Sequence, residues 1–310
     1  MIYWEHVYGK NQEGSAINVN VIGIPHAVGA YVSGTELAPD ALREAGLIEQ
    51  LQQAGLKVSD AGNVKLPDYL PRHNIPPVRH WPAPRMLWDL LRKEARDWLH
   101  GDDFALMLGG DCSTIVGTAT AHQELHGDLA YLLVIDGHLD AVAPSPHRCL
   151  GAAGMGLWFL LRDNPMWAAE QAWTSDRISV IGCQQPPEES CGIEIVSLAD
   201  LRASEGEHVV SRLLKNIPAN AKLLVHFDVD VMDEEAMAAA YSPSKTGLSL
   251  KEAENLLAAV VQDSRVIGLE VTEFSALRDT TGEYAKRLVR LLANALAARA
   301  TRASSDTLHR

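Results

Sequence analysis

Two acidic residues and a histidine lie close together at the end of an apolar run. The segment is YLLVIDGHLD, residues 131–140, and the three side chains are those of Asp136, His138 and Asp140. In an extended or tightly turned backbone, residues two apart point the same way, so these side chains can converge. Two carboxylates and an imidazole suit a borderline-hard divalent cation. A strand end capped by solvated acids is the other interpretation of this segment.

A second apolar run also ends in alternating acids. Residues 223–233 read LLVHFDVDVMD, which places Asp228 and Asp230 on one face of a strand and His226 one step deeper on that face. Unpaired charge is costly to bury, so two aspartates on one face of a buried strand favour a bound cation. Asp233 is better explained as a cap of the turn that follows.

A third run, FALMLGGDCS at residues 104–113, turns at two glycines and continues into Asp111, Cys112 and Ser113. Three strand ends therefore carry acids together with nitrogen or sulfur ligands. This combination is typical of a hydrolase with two metal ions.

The elements that position these residues can be predicted from the same patterns. Short apolar runs that end at glycine or acidic turns indicate buried parallel strands. Segments with helical periodicity alternate with them along the chain, without a linker or an internal repeat. We therefore predict one domain over residues 1–310, a three-layer α/β/α sandwich with a mainly parallel sheet. Its ligand site should lie at the carboxyl ends of the strands.

The same rules assign individual segments outside the acidic motifs. A helix that begins at a proline is expected over residues 39–51, and an irregular, proline-rich connection over residues 65–83. Residues 266–271 form a late strand, and a closing helix covers residues 282–298. The residues from 301 onward are expected to be frayed.

The composition excludes several classes of protein. The chain has 310 residues, 47% of them hydrophobic, and its 27 basic and 40 acidic residues give a net charge of −13. Such a charge argues against binding to nucleic acid or to anionic membranes. No run reaches membrane-spanning length, and no signal peptide is recognisable. The four cysteines lack the spacing of a disulfide framework, so we expect a cytoplasmic protein with free thiols.

The three acidic segments together resemble a known family. GGDCS, DGHLD and FDVDVMD are similar, in order and spacing, to the motifs GGDHS, DAHxD and SFDxDxxDP of the arginase, agmatinase and formiminoglutamase (ureohydrolase) family. Residues 22–47 resemble the opening of that family, and GLEVTEF at residues 268–274 resembles its late strand, which ends in a glutamate. Because five segments match over nearly the whole chain, the sequence is identified as a divergent member.

The resemblance implies a dinuclear Mn²⁺ centre. In this family pattern, Asp136 and Asp228 bridge the two ions, Asp140 binds the first, and His138 and Asp230 bind the second. The fold implied is the arginase-like sandwich predicted above. A homo-oligomer, a trimer or a hexamer, is also implied.

Further roles are implied for two acidic residues outside that ligand set. Glu273 aligns with the glutamate that approaches the substrate, and we count it with Asp136 as a catalytic residue. Asp111 is expected to orient the ligand beside it. A strand-end acid that faces solvent is the other interpretation of Glu273.

Cys112 stands where the family has a histidine ligand of the first ion. A thiolate is softer than an imidazole, and Mn²⁺ prefers harder ligands, so the first site could be weak or could hold another divalent metal. His226, where the family has serine, either compensates as a ligand or packs as a structural histidine.

The family's catalytic histidine and its amino-acid clamps are also missing. The histidine position falls on Ala153, and His147 on the same loop is either its substitute or a surface histidine. The loop over residues 142–151 lacks the pattern that holds the α-amino and α-carboxylate groups of arginine. Glu188 and Glu189, in the loop after residue 182, are the other candidate substrate-binding residues.

These features predict a metal-dependent hydrolase that cleaves a C–N bond in a small guanidino or amidino substrate. The substrate is expected to be an N-hydroxyguanidine or another compound other than arginine, because a hydroxylated nitrogen leaves without a strong acid. The other hypothesis is a weak or inactive family homologue that binds a ligand or a partner.

Overall fold

The central sheet consists of parallel strands. The computed structural model describes residues 17–167, 169, 172–187, 190–203 and 206–308. Within them, ten strands follow in chain order as β1 to β10: Asn18–Gly23, Lys57–Asn63, Arg72–His73, Trp81–Pro82, Phe104–Leu108, Ala130–Ile135, Ile178–Cys183, Glu194–Ser197, Lys222–Asp228 and Val266–Thr272. Eight form one sheet in the order β2-β1-β5-β10-β9-β6-β7-β8, and all neighbouring pairs are parallel. Strands β3 and β4 form a separate antiparallel pair.

Helices connect these strands. In chain order, the α-helices of the described residues are α1 to α10: Ala38–Glu44, Leu47–Gln53, Ala83–His100, Thr114–His126, Gly156–Leu161, Leu198–Ala203, Gly206–Asn216, Glu234–Met237, Leu250–Val261 and Glu283–Leu308. Parallel neighbours require such crossover connections, because a tight turn cannot return the chain to the same end of the sheet.

The sheet is buried on both faces because alternate residues of its strands point to opposite sides. On β6, Leu133 and Ile135 belong to one apolar cluster, whereas Leu132 and Val134 belong to the other. Helices α2, α9 and α10 pack in the first cluster, and α3, α4 and α5 pack in the second. The predicted three-layer α/β/α sandwich is thereby confirmed.

The four central strands of the sheet are those that end in the acidic segments. Strands β5, β10, β9 and β6 are consecutive neighbours. Thr272 on β10 is in register with Asp228 on β9, and Ile135 on β6 is in register with Phe227. The three motifs and the late glutamate therefore meet at one place on the carboxyl edge.

Two of the expected helices differ from the structure. The helix predicted over residues 39–51 is divided into α1 and α2, because Gly46 between them has a φ of 88°, a left-handed conformation that ends helices. The end predicted to fray from residue 301 instead continues α10 through Leu308. That stretch contains neither glycine nor proline, so nothing in it breaks the helix.

None of the described helices is both long enough and apolar enough to cross a bilayer. The cytoplasmic location and the single-domain organisation expected from the sequence stay predictions.

Candidate metal centre

Two groups of potential ligands lie at the carboxyl edge of the central strands. The first group contains Cys112, Asp136, Asp140 and Asp228, and the second contains Asp136, His138 and Asp230. In each group, one potential ligand atom per residue lies within 4.8 Å of all the others. Asp136 belongs to both groups, so the structure brings the six predicted ligands together around one shared carboxylate.

Asp228 belongs only to the first group. Its Oδ2 accepts a hydrogen bond from the Cys112 thiol at 2.8 Å, and its Oδ1 accepts one from the backbone N–H of Asp230 at 2.8 Å. The expectation that Asp228 spans both ions stays a prediction.

The second group contains an imidazole and is open to solvent. His138 Nδ1 lies 3.2 Å from Asp230 Oδ2 and 3.6 Å from Asp136 Oδ1. The His138 side chain is 49% exposed, whereas the two carboxylates are buried. Hydrogen bonds to Asp136 and Asp230 raise the pKa of His138 to about 12. Without a cation, this group is an ion pair.

The acids of the first group repel one another in a buried place. Burial, followed by the neighbouring carboxylates, raises the pKa values of Asp140 and Asp228 well above their usual range. Burial raises the pKa of Asp230 to about 6, against the hydrogen bond from His138 that lowers it. Burial and the nearby acids raise the pKa of the Cys112 thiol as well. A nearby cation would stabilise the ionised forms of these buried acids, so the cluster favours a bound cation.

Unpartnered oxygens support the same conclusion. Asp136 Oδ2, Asp230 Oδ1 and Glu273 Oε2 are buried and have no hydrogen-bond partner within the described part of the chain. Buried carboxylate oxygens normally have partners, and divalent cations bind such oxygens. The donor set therefore fits a pair of divalent cations.

The backbone of Glu273 is strained. Its φ is 63°, in the left-handed region that side chains other than asparagine, aspartate and glycine rarely adopt. Such strain costs about 1–3 kcal/mol per residue and is concentrated at functional sites. Asp140, with a φ of 50°, is of a residue type that adopts this region more readily. Glu273 is held by its Oε1, which accepts the backbone N–H of Cys112 at 2.7 Å.

Asp111 anchors the turn that presents Cys112. Its Oδ2 accepts the N–H of Gly29 at 2.8 Å, and its Oδ1 accepts the N–H of Ser113 at 3.0 Å. His26 Nδ1 lies 3.3 Å from the same carboxylate. Despite burial, the neighbouring His26 and the hydrogen bonds from Ser113 and Gly29 keep the pKa of Asp111 below its usual value. Gly110 is required in this turn, because a Cβ there would lie 1.8 Å from the His26 carbonyl oxygen.

His26 and Glu270 were not predicted from the sequence as residues of the site. His26 Nε2 lies 2.6 Å from Thr114 Oγ1. The two residues are 88 positions apart, so the local sequence around either one does not predict this contact. Glu270 lies 2.7 Å from His226 Nδ1. For Glu270 a signal was present, since GLEVTE places two polar residues inside an otherwise apolar strand.

A cavity of about 610 Å³ opens beside the second group. Its lining includes His138 and Asp140 together with the apolar side chains of Leu139, Val142 and Pro243. It lies above the carboxyl edge, where a substrate of this sheet architecture is expected to bind.

The predicted substrate-binding residue that the structure describes, His147, is not among those that line this cavity. His147 is exposed, and its backbone N–H donates to Ser145 Oγ at 3.3 Å. Ala153, at the position of the missing histidine, donates its backbone N–H to the Gly29 carbonyl at 3.2 Å. Glu188 and Glu189 lie outside the described residues. The roles of these residues stay predictions.

Comparison with known proteins identifies the family. The model of the Arginase family matches residues 17–298. The chain belongs to the arginase family. The family predicted from the five segments is therefore confirmed, and the site is that of an arginase-family hydrolase with a cluster that could hold metal ions.

Individual family members are similar over most of the chain. Arginase-1 of Xenopus laevis is 29% identical over 255 residues, which cover 76% of this chain and 79% of that protein. Among solved structures, Entamoeba histolytica arginase in complex with L-ornithine has a TM-score of 0.80 at 16% identity and covers 91% of this chain and 99% of its own. Formimidoylglutamase of Bacillus subtilis has a TM-score of 0.72 at 16% identity, over 92% of this chain and 87% of its own. At these identities the structural likeness shows the arginase fold.

Proposed function

We propose that this protein is a metal-dependent hydrolase that cleaves a C–N bond of a guanidino or amidino group. The observation that carries this proposal is the pair of ligand groups joined at Asp136, at the strand ends of an arginase-family chain. Hydrolysis adds the oxygen of water to the trigonal carbon and breaks one C–N bond. The products are a urea or an amide together with the leaving nitrogen compound. That compound is an amine, which takes up one proton, or a hydroxylamine when the hydroxylated nitrogen of an N-hydroxyguanidine leaves.

The ligand groups assign the residues that would hold two divalent cations. Cys112, Asp140 and Asp228 would hold the first with Asp136, and His138 and Asp230 the second with Asp136. When bound, a Mn²⁺ pair supplies Lewis acidity and an activated water at neutral pH. The ion at the first position, which contains the sulfur of Cys112, could be a divalent metal other than Mn²⁺.

Glu273 is the residue that we expect to orient the substrate. Its Oε1 is occupied by the Cys112 N–H at 2.7 Å, whereas its buried Oε2 has no partner within the described residues. That oxygen could accept hydrogen bonds from the amidino N–H groups of a substrate. Positioning of this kind contributes strongly to catalysis.

The leaving group must need little help from an acid. Ala153 offers no proton to the departing nitrogen, and His147 is exposed on the same loop. An N-hydroxyguanidine, whose hydroxylated nitrogen leaves more easily, fits this arrangement better than an alkylguanidine.

The walls of the cavity support a substrate other than free arginine. Apart from His138 and Asp140, which belong to the ligand groups, the side chains that line the cavity are uncharged, so none of them would form an ion pair with an amino-acid tail. Gln184 is already bound, because its Nε2 donates to the Asp230 carbonyl at 3.1 Å. His147, Glu188 and Glu189 stay in the proposal as contacts of the distal end of a substrate.

A substrate panel tests this proposal. The full chain, loaded with Mn²⁺ or Zn²⁺, is incubated with L-arginine, agmatine, an N-hydroxyguanidine and a formimino compound, and urea, amide or amine release is measured. We expect metal-dependent turnover of a compound other than arginine. Efficient turnover of arginine at sub-millimolar concentration would contradict the substrate assignment.

A second candidate function is binding without catalysis. The replacement of two family histidines by Cys112 and Ala153 favours it. It predicts metal binding with no turnover across the whole panel. In either case a homo-oligomer, a trimer or a hexamer, is part of the proposal, and light scattering of the purified chain tests it.

A further inference from the structure

The sulfur of Cys112 has three polar side-chain neighbours at the first ligand group. Besides the 2.8 Å hydrogen bond to Asp228, Sγ lies 3.2 Å from Thr272 Oγ1 and 3.3 Å from His226 Nε2. Thr272 Oγ1 and His226 Nε2 are themselves 3.2 Å apart, so the three atoms form a closed triangle. His226 Nδ1 in turn lies 2.7 Å from Glu270.

The sheet register explains how these side chains meet. Glu270 is paired with His226, and Thr272 with Asp228, on the adjacent strands β10 and β9. Residues two apart on a strand share one face, so all four side chains lie on the side that faces Cys112. Cys112, His226, Glu270 and Thr272 are each at most 2% exposed. This polar arrangement is therefore built into the core.

The arrangement does not suit a cysteine that only fills space. A free cysteine usually packs as a small apolar side chain. Here the sulfur is directed at a carboxylate that belongs to the same ligand group. A second oxygen of that group, Asp136 Oδ2, is buried and unpartnered within the described residues. Ligand atoms that share one cation at about 2.0–2.3 Å are roughly 3–4 Å apart, and the separation of Cys112 and Asp228 is close to that range.

We propose that Cys112 makes the first cation position selective for a thiophilic divalent ion such as Zn²⁺ or Co²⁺, while the second position keeps a harder ion such as Mn²⁺. The inference rests on the proposed function, because it assigns metals to the same two ligand groups. Sulfur is the soft ligand of the set, and His138, Asp230 and Asp136 offer only nitrogen and oxygen. Thr272 and His226 act as positioning residues that hold the sulfur toward Asp228, with Glu270 fixing the imidazole.

The absorption spectrum of bound Co²⁺ shows directly whether sulfur is one of its ligands. Co²⁺ bound to a thiolate shows a sulfur-to-metal charge-transfer absorption, which oxygen and nitrogen ligands alone do not give. Titration of the metal-free full chain with Co²⁺ should produce this absorption with the first equivalent bound. Cys112→Ser should abolish it, and Cys149→Ser, a cysteine in neither ligand group, should leave it intact.

A substitution of Thr272, which we assign to positioning the sulfur, distinguishes a role in metal binding from a general loss of stability. Thr272→Val removes one polar neighbour of the sulfur and keeps the shape of the side chain. It should retain the absorption with a shifted maximum and should weaken Co²⁺ binding by about tenfold, the usual effect of removing a group that orients a ligand. Thermal melts of the metal-free variants should match that of the parent chain.

Competition between metals measures selectivity. Zn²⁺ outcompetes Mn²⁺ at most sites, so the informative quantity is the change in the Zn²⁺/Mn²⁺ affinity ratio between proteins. At the first position this ratio should fall by about tenfold or more in Cys112→Ser, with no change at the second.

Two results would overturn the proposal. The first is a Cys112→Ser protein that binds two Mn²⁺ ions and has the same Zn²⁺/Mn²⁺ affinity ratio as the parent chain. The second is a parent chain that binds Co²⁺ without the sulfur-to-metal absorption. Neither would contradict hydrolysis of a guanidino substrate, which the substrate panel tests separately. Conversely, a sulfur absorption in a chain that turns over no substrate would support the metal assignment and contradict only the proposed hydrolase activity.

Discussion

The two ligand groups share Asp136 and differ in how they balance charge. The first combines three carboxyl groups and a thiol without an imidazole, and burial raises the pKa values of Cys112, Asp140 and Asp228. The second contains the half-exposed His138, whose imidazole forms an ion pair with Asp230 in the absence of metal. The carboxyl groups of the first group therefore depend on a bound cation to be ionised, whereas in the second group the imidazole of His138 balances the charge of a carboxylate. Substitutions that affect one group and spare the other test this difference.

The largest selective effect is expected for Asp140→Asn. Asp140 belongs only to the first group, so one ion should be lost while the second remains. Because that ion also stabilises charge in the transition state, kcat should fall by about 10³-fold. Elemental analysis and turnover of a substrate found in the panel measure the two effects. Loss of both ions, or of neither, would show that the groups are not separate.

Glu273→Gln should reduce turnover without changing metal content. The amide oxygen can still accept the Cys112 N–H, which Glu273 Oε1 now accepts at 2.7 Å. The variant loses the carboxylate that orients the substrate, and kcat should fall by about 10²-fold. If the variant keeps its full kcat, Glu273 has no role in orienting the substrate, and its role is to hold the turn at Cys112 through the hydrogen bond to the Cys112 N–H.

A smaller effect is expected for His138→Asn. The remaining ligands of the second group, Asp136 and Asp230, are buried carboxylates that can still hold an ion. Affinity at the second position should fall by about 10–100-fold, with the first unchanged. Isothermal titration with Mn²⁺ measures it, and His147→Asn on the exposed loop is the matched control. Equal weakening in both variants would argue against the assignment of His138.

The smallest effect concerns the stability of the metal-free chain. The pKa of Asp230 is raised to about 6 in the folded state, so the folded state binds more protons than the unfolded state between about pH 4 and 6. Stability is therefore lost as the pH rises through this window. The contribution of Asp230 to the free energy of unfolding should be about 1–2 kcal/mol lower at pH 7 than at pH 5. Because other buried groups such as His122 titrate in the same window with the opposite sign, this contribution is measured as the difference between the chelated parent and Asp230→Asn in urea unfolding.

Metal should reverse this pH dependence, because cations bind the ionised ligands. Asp230→Asn, which does not titrate, should reduce the slope seen for the chelated protein. Equal pH slopes for the chelated parent and Asp230→Asn between pH 5 and pH 7 would contradict the charge balance described for the second group.

Much of the site could be predicted from the sequence because it is local. Asp136, His138 and Asp140 lie within five residues, and Asp228 and Asp230 are two apart, so chain connectivity alone brings them close. The parallel order of the strands then places the two segments at one edge. The split between α1 and α2 at Gly46 is a local feature as well, and its glycine was a visible signal.

The remaining contacts are long-range and have no periodic pattern. The contact of Cys112 with Thr272 spans 160 residues, and that of Cys112 with His226 spans 114. They depend on β10 lying between β5 and β9, a neighbour order that hydrophobic patterns do not specify. Whether His226 was a ligand or a packed histidine could therefore not be decided before its partner Glu270 was placed.

The shared carboxylate is the central claim, and counting metal ions tests it most directly. The parent chain, Asp136→Asn and the exposed control Asp102→Asn are equilibrated with Mn²⁺ and Zn²⁺ together, desalted and submitted to elemental analysis. Because Asp136 belongs to both groups, we predict two ions per chain for the parent and the control and none for Asp136→Asn. An Asp136→Asn protein that retains two ions would contradict the account.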